Sequence, residues 1–584
     1  MIAPGEFMFN HYFQRELSNL RALGADFSRM HPAVAPMLSG MSADPDAERL
    51  LEGVAFLTAL LHQRLDDDFP EIIQELFQLI WPHYLRPLPA ATIVSFSPKE
   101  NISQIVRVPK GVQLASEPVD GTPCLFRTCY DVDVHPLLLE DAFLEENPGR
   151  PSAIRLVLSL QQLKADEWKP ESLRLHLAGD SKQAADIYYL LCRYVHQIVL
   201  KPLGSGSACI LPPDCLKSVG FGDDECLIPY PPQSFPGYRN LQEYFLLPEK
   251  FLFLDLIGWQ QWHDRGEFDK FEIRFELKKA PFFAPRVRKE NFVLAATPVL
   301  NLFPHNADPI RLDHQNSEYL IRPSGSNDRN YQVYSVERVT GFVQGTAQEK
   351  VYAPFEMFSP SPEADPTYHV HMRQSPVRQG LNSHLSIAYP SGSRSTLTET
   401  LSIQLQCTNG FLPEGLRIGD IRYPTSSTPE FVEFKNLRPP TSSITPQLGR
   451  NLHWKLLSHL CLNYRSLATV ENLQALLALY NFEENRDRPV FLANQKRIAG
   501  IQAVHTEAAD QLVGRVIMRG RKIRLDVRQD HYAGLGDLFL FGSILDAFLG
   551  SYGSLNTFMQ LSIREVLKGE MLQWPARIGD HPLI

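Results

Sequence analysis

The densest group of chemically capable side chains is Asp66-Asp67-Asp68, three carboxylates in a row. Carboxylates hold hard cations or move protons when they converge on one point. On a helix neighbours point ~100° apart, so three consecutive residues do not converge. They stand just before Pro70, where negative charge favours the positive N-terminus of a following helix. That capping role is the one their position supports. His369-Val370-His371 sets two imidazoles on one face of a strand, which is half of a zinc site. No nearby Cys or acidic residue has ligand spacing, and the proline-rich surroundings read as a loop edge. His11, His31, His83 and His453 are scattered over helices or their ends, where polar or partly buried packing is the ordinary role.

No G-x-S-x-G, H-E-x-x-H or G-x-x-x-x-G-K-[ST] pattern occurs. Gly204-Ser205-Gly206 lacks the third glycine and the strand-to-helix setting of a dinucleotide loop. Gly534-Leu535-Gly536 precedes a helix, but Phe539 stands where that fingerprint needs glycine, so it reads as a turn into a packed helix. The eight cysteines (124, 129, 192, 209, 215, 226, 407 and 461) include no C-x₂-C pair. Cys209, Cys215 and Cys226 share one proline-rich loop and read as buried or bystander thiols. The residues therefore predict no catalytic group, no cofactor and no metal. A β-modular hydrolase with a site assembled in three dimensions is the alternative from another class.

One basic cluster stands out: Arg515, Arg519, Arg521, Lys522, Arg524 and Arg528, alternating with Val516, Ile517, Ile523, Leu525 and Val527. The alternation predicts strands with one basic, exposed face, either solvated or docked on an acidic partner subunit. Arg521 and Arg524 are the candidate contacts there. Nucleic acid fits less well, because base-stacking aromatic residues are missing from this stretch and the net charge is −9.

These residues sit in a chain of 584, which at ~150 residues per domain corresponds to about four domains. Apolar residues make up 44% and charged residues 21%, ordinary globular usage that excludes wholesale disorder. The 45 prolines exceed the usual ~5% share and mark many stiff connections. The longest apolar runs, 251–258 and 535–549, are interrupted by Asp255, Asp537 and Asp546 and fall short of the ~20 residues that span a bilayer. No direct membrane insertion is expected. The first ten residues lack a basic n-region and an apolar segment, so no secretory signal is expected, and sparse cysteines suit a reducing cytosol. Phe9 opens an amphipathic helix directly, which points to Met8 as the natural start and 1–7 as an upstream addition.

The predicted fold class is α+β, multi-domain: an N-terminal helical region at 1–88, a β-rich domain at 89–300 with a helical insertion and a long proline-rich loop, a second β-rich domain at 301–445, and a mixed α/β C-terminal domain at 446–584. In the helical region Phe9, Phe13, Leu17, Leu20, Leu23, Phe27 and Met30 recur every three or four residues and end before Pro32. Asp44-Pro45 caps a second helix with a stripe of Leu50/Leu51, Val54, Leu57, Leu60/Leu61 and Leu65. A third spans 71–81, and Pro82, Pro87 and Pro89 make a stiff exit. The stripes are either intramolecular core or pairing faces for helices of other subunits, which makes Phe9, Phe13, Leu17 and Leu20 interface candidates.

From Ala90 the period drops to 2, with strands at 92–97, 105–108, 112–115, 125–134, 153–160 and 173–177. Pro109-Lys110-Gly111 is expected to join 105–108 and 112–115 as a hairpin. A helix near 182–194 interrupts the strands, and 202–237 is a long turn-rich loop. Strands resume at 251–256, 271–277, 332–339, 385–389 and 400–407. The last part has helices at 452–462 and 467–480, strands at 500–506, 514–518 and 521–528, a buried helix at 537–549 and a final strand at 558–563.

Several blocks resemble a known family. They are Tyr12-Phe13-Gln14-Arg15-Glu16-Leu17, then Asp44-Pro45-Asp46-Ala47-Glu48-Arg49-Leu50-Leu51-Glu52-Gly53, and Leu65-Asp66-Asp67-Asp68-Phe69-Pro70-Glu71. Pro82-His83-Tyr84-Leu85-Arg86-Pro87, Cys407-Thr408-Asn409, Trp454-Lys455-Leu456-Leu457-Ser458-His459-Leu460 and Phe539-Leu540-Phe541-Gly542-Ser543-Ile544-Leu545-Asp546-Ala547-Phe548-Leu549 continue the pattern. Together they are similar to the TssF family, also called VasA or ImpG, a baseplate subunit of the bacterial type VI secretion system. The resemblance covers essentially the whole chain. It implies a structural wedge protein and not an enzyme, with two copies bound to each TssG. It further implies wedges that join TssK and TssE around the VgrG spike, indirect contact with the membrane complex and the Hcp tube and sheath, and a place at the cytoplasmic face of the inner membrane. A wedge protein of a phage or another contractile injection system is the nearest alternative.

Overall fold

The computed structural model describes residues 13–23 (except 15, 19 and 22), 45–60 (except 47 and 48) and 82–579. Within the last span, 100–101, 147–150, 205, 231–234, 280–283, 314–315, 326–329, 344–348, 356–365, 375–380, 390–397, 447–468, 483–486 and 514–515 lie outside the description. The chain forms two compact units, Met1–Leu85 with Gln447–Leu460, and Arg86–Pro446 with Cys461–Ile584.

The described part of the first unit is helical at 13–23, 45–60 and Pro82–Leu85. Phe9, the Asp44 cap, Asp66-Asp67-Asp68 and the expected helices at 71–81 and 452–462 fall outside the described residues.

The second unit is strand-rich. Strand β1, Ala91–Pro98, lies inside a six-stranded sheet between Ala296–Leu300 and Val432–Asn436, with Thr122–Thr128, Gln113–Val119 and Ile421–Pro424 beyond. Its register sets Val94 opposite both Thr297 and Asn436. The β-branched sequence ATIVSF suits this place because both faces are covered. Ile93 belongs to one core with Leu300 and Leu302, and Val94 and Phe96 to another with Val299 and Phe434.

The expected hairpin at 105–115 does not form. Val106–Val108 pairs with Val132–Val134, whereas Gln113–Val119 pairs with Thr122–Thr128. The turn between them is tied elsewhere: the Lys110 amide donates to Asp131 Oδ1 (2.7 Å) and the Gly111 amide to the Thr128 carbonyl (2.9 Å). Gly111 has φ +90°, a left-handed turn that redirects the chain between sheets. The same Asp131 breaks the expected 125–134 strand in two.

A five-stranded sheet (Cys209–Leu211, Val195–Pro202, Lys270–Leu277, Ala153–Leu160, Leu137–Glu145) and a four-stranded one (Leu216–Val219, Phe253–Ile257, Ser172–Leu177, Phe292–Leu294) follow. The proline-rich loop is thus partly ordered as two short strands. Helix α1, Ser181–Arg193, matches the expected one, and α2, Gly237–Leu246, closes the loop. In the next region an eight-stranded sheet includes β2, Thr367–Gln374, and β3, Leu381–Ala388, so the His369–His371 segment is a strand interior and not a loop edge.

Toward the C-terminus come α3, Val470–Leu479, and α4, Arg488–Ala499. The long strands β4, Ile501–Val513, and β5, Val516–Val527, follow, then helix α5, Leu535–Gly550, and β6, Thr557–Glu565. β5 pairs antiparallel with β4 and parallel with β6. Helix α5 is buried from Leu535 to Leu549. Phe539 meets Tyr189 of α1 (4.9 Å between centroids), Phe541 meets Tyr244 of α2 (5.7 Å) and Trp574 stacks on Phe539 (5.5 Å). A Cβ on Gly536 would stand 2.4 Å from the Ala185 backbone, so glycine is what lets α5 cross α1. The Gly536 amide donates to Asp186 Oδ1 (3.1 Å), which caps α5 from the neighbouring helix.

Candidate functional site: surfaces for subunit contact

On the first helix Leu17 is buried, Phe13 and Leu20 are half-buried, and Gln14 and Ser18 are exposed. Spacings of four and three put Phe13, Leu17 and Leu20 on one face, as the sequence predicts. The second helix behaves differently. Its buried residues are Ala55 and Ala59, with Leu51 half-covered. The expected stripe of Leu50, Val54, Leu57 and Leu60 points outward, with Leu50 72% and Leu57 61% exposed and Phe56 beside them. Leu50, Val54 and Leu57 share one helix face by spacing, and Leu60 and Phe56 extend it. The small face turns inward and the large apolar face outward. Full burial of each such side chain is worth ~1.5–3 kcal/mol, a gain that the exposed leucines and Val54 do not collect within the described residues.

The basic cluster divides. β5 runs in unbroken register beside β6 from Arg519 to Val527, so odd and even residues take opposite faces. Ile523, Leu525 and Val527 are buried on one face, and Arg519 and Arg521 extend that same face outward. Lys522, Arg524 and Asp526 lie on the other. Arg521 and Arg524 therefore do not share a surface, in contrast to the single basic face expected from the sequence. Their spacing of three already carried the signal, since a strand period of 2 separates them. Arg515 lies outside the described residues.

Arg524 sits in a polar network around the nearly buried Asp526. Arg564 Nε donates to Asp526 Oδ1 (3.0 Å), and His505 Nε2 and Arg524 Nε stand 3.4 and 3.9 Å from its carboxylate. Beyond the first paired residue of β6, Thr557, the β4–β5 hairpin continues alone to the Val513–Val516 pair. Its projecting end sets Leu512 directly opposite Ile517, 67% and 71% exposed. Sequence reading missed this apolar tip, although Leu512, Val513, Val516, Ile517 and Met518 stand together in the sequence.

Ionisable groups elsewhere serve the fold. Glu243 of α2 accepts the amides of Leu227 (2.7 Å) and Ile228 (3.0 Å) and pairs with Lys250, whose Nζ also donates to the Gly220 carbonyl (2.8 Å). Both charged side chains are fully buried, and burial pushes the Lys250 pKa down. This strut fastens the proline-rich loop. Burial raises Cys129 and Cys407 to about 12 and Cys192 to about 11, the opposite of an activated thiol. A cavity of about 220 Å³ is lined by Phe96, Val134, Leu137, Leu138 and Leu294, with His135 its single ionisable side chain. Among the described residues no three His, Cys, Asp or Glu side chains form a preformed ion cage, and no helix is long and apolar enough to cross a membrane.

A family model described as "Type VI secretion system, TssF" matches residues 7–581. The chain belongs to the TssF family. The type VI secretion system component TssF1 of Pseudomonas aeruginosa (strain PAO1) is 29% identical over 622 aligned positions, 98% of each chain. A chain of the TssK-TssF-TssG baseplate subcomplex matches with a TM-score of 0.76 at 27% identity, over 92% of this chain and 99% of that one. A chain of the type VI baseplate complex matches at 0.61 and 23% identity, over 98% and 100%, which is a likeness of fold. The two exposed apolar features of this TssF-family chain are the outward face of helix 45–60 and the β4–β5 tip.

Proposed function

We propose that this chain is a structural wedge component of the type VI secretion baseplate that binds TssG and TssK and works through its surfaces, without catalysis. The observation that carries the reading is the likeness, over 92% of the chain, to a chain of the TssK-TssF-TssG subcomplex. Two copies engage each TssG, and the wedges join TssE and surround VgrG. The assembly rests at the cytoplasmic face of the inner membrane, where the Hcp tube and its sheath begin. The outward face of helix 45–60 is the helical docking surface, and Phe13 and Leu20, half-buried on the first helix, are further contacts. Arg524 with its polar network, and Arg521 on the opposite face, are charged contacts flanking the hairpin tip.

The test is coexpression with TssG and TssK of the same operon, followed by size-exclusion chromatography with light scattering. The expected result is one co-eluting complex with two copies of this chain per TssG. A monodisperse chain that ignores both partners overturns the reading.

A further inference from the structure

One cluster of side chains has no part in these surfaces: three imidazoles on the β2–β3 hairpin. Tyr368, Val370, Leu385 and Ile387 face the core of this region. His369 and His371 alternate with them along β2, and His384 and Ser386 along β3. His371 stands directly opposite His384, and His369 opposite Ser386, so all four share the outer face. His369 Nδ1 and His371 Nε2 are 2.9 Å apart, with ring centroids at 4.1 Å and planes at 76°. Ser386 Oγ is 3.4 Å from the same His371 nitrogen. His384 Nδ1 is buried and has no hydrogen-bond partner. Arg373, the cation on this face, is held by Glu318 at 2.8 Å.

We propose that the outer face of this hairpin chelates one divalent transition-metal ion through His369 and His371, with His384 as third imidazole. Two nitrogens bonded at ~2.0–2.1 Å to one tetrahedral ion stand ~3.3–3.4 Å apart, about half an ångström more than the separation already present. An all-imidazole donor set selects zinc, copper or nickel over calcium or magnesium. Loading replaces one hydrogen bond. The ring that donates its N–H shifts that proton to its other nitrogen through water, and nothing is oxidised or reduced. Rotation of the His384 ring brings its unpartnered nitrogen to the ion. The chelate ties β2 to β3 where the hairpin is weakly joined to its sheet: β2 meets the preceding strand, Glu349–Pro354, through only two pairs, Ala353 with Thr367 and Pro354 with Tyr368.

The test uses the full chain without a histidine tag, stripped with chelator and titrated with zinc chloride by calorimetry. X-ray absorption then reads the loaded sample. One saturable zinc per chain with a nitrogen-only imidazole shell is expected. Affinity should fall about tenfold or more in His369→Ala and His371→Ala, and fall in His384→Gln. His305→Gln, a histidine stacked on Tyr331 at 4.8 Å elsewhere, should bind as wild type. These variants lie on an outer face, and far-ultraviolet circular dichroism checks that each is folded. No saturable zinc, a sulfur-containing shell, or unchanged affinity in a folded His369→Ala/His371→Ala double variant overturns the proposal.

Discussion

Helix α5 and helix 45–60 are both rich in large apolar side chains, and they meet opposite fates. α5 is buried from Leu535 through Leu549, with aromatic partners from α1, α2 and Trp574 around its circumference. Helix 45–60 buries its alanines and turns Leu50, Val54, Leu57 and Leu60 outward. Even the carboxylates of α5 are answered internally: Asp537 accepts from Arg497 Nε (3.0 Å) and Asp546 from Arg577 Nε (2.5 Å). A helix apolar all round has to be enclosed by its own chain. A helix with one apolar side leaves that side for whatever arrives. The first kind builds the subunit; the second is the face that the proposed function assigns to neighbouring subunits.

The comparison breaks most visibly in the core. Phe548→Ala in α5 should cost ~3–5 kcal/mol by chemical denaturation, as a cavity opens against Tyr238 and Tyr552. Glu243→Gln should cost a similar ~3–5 kcal/mol, because Lys250 is left buried and unpaired. A Glu243→Gln variant as stable as wild type would remove the strut from this account.

Acid provides the next test. His176 is buried against Phe253, and burial holds its pKa at about 3. In the unfolded chain it titrates near ~6.5. Between these values the unfolded state binds a proton that the folded state refuses. The contribution is therefore complete above pH ~6.5 and lost as pH falls, at ~1.4 kcal/mol per unit. Near pH 5 that is a loss of ~2 kcal/mol. His176→Phe should flatten the stability–pH curve relative to wild type; parallel curves would show that the ring does not matter.

Leu57→Asp should change stability by less than ~0.5 kcal/mol, since the side chain is exposed, yet remove co-elution with TssG. A destabilised Leu57→Asp protein would mean that this face is core after all. Arg524→Gln is also expected to have a small effect on stability, ~0.2–1 kcal/mol, because Arg564 already satisfies Asp526. Denaturation midpoints measure it.

Much of the local structure was legible. The 153–160 strand and the helix near 182–194 follow from period 2 and period 3.6, and the structure places them at Ala153–Leu160 and Ser181–Arg193. Helix α2 was hidden because Arg239, Asn240, Gln242 and Glu243 are buried polar residues, Arg239 and Glu243 being answered by Asp223 and by the Leu227 amide of the preceding loop. Proline-rich flanks disguised β2 as a loop. Helix α4 did carry a readable start: Asp487 accepts the Val490 amide (3.2 Å) just before Pro489 in the first turn.

Side-chain period states which residues share a face of their own element, and composition together with family blocks states the class of protein. Neither states which face is covered, because the covering element arrives from elsewhere in the chain. Val432–Asn436 pairs with β1 from more than 300 residues away and α1 and α2 enclose α5, whereas Leu50 and Leu57 are exposed among the described residues. Periodicity thus established some of the helices and strands, such as Ala153–Leu160 and Ser181–Arg193, with their apolar stripes. The tertiary fold decided which stripes are buried and hold the subunit together and which are left exposed.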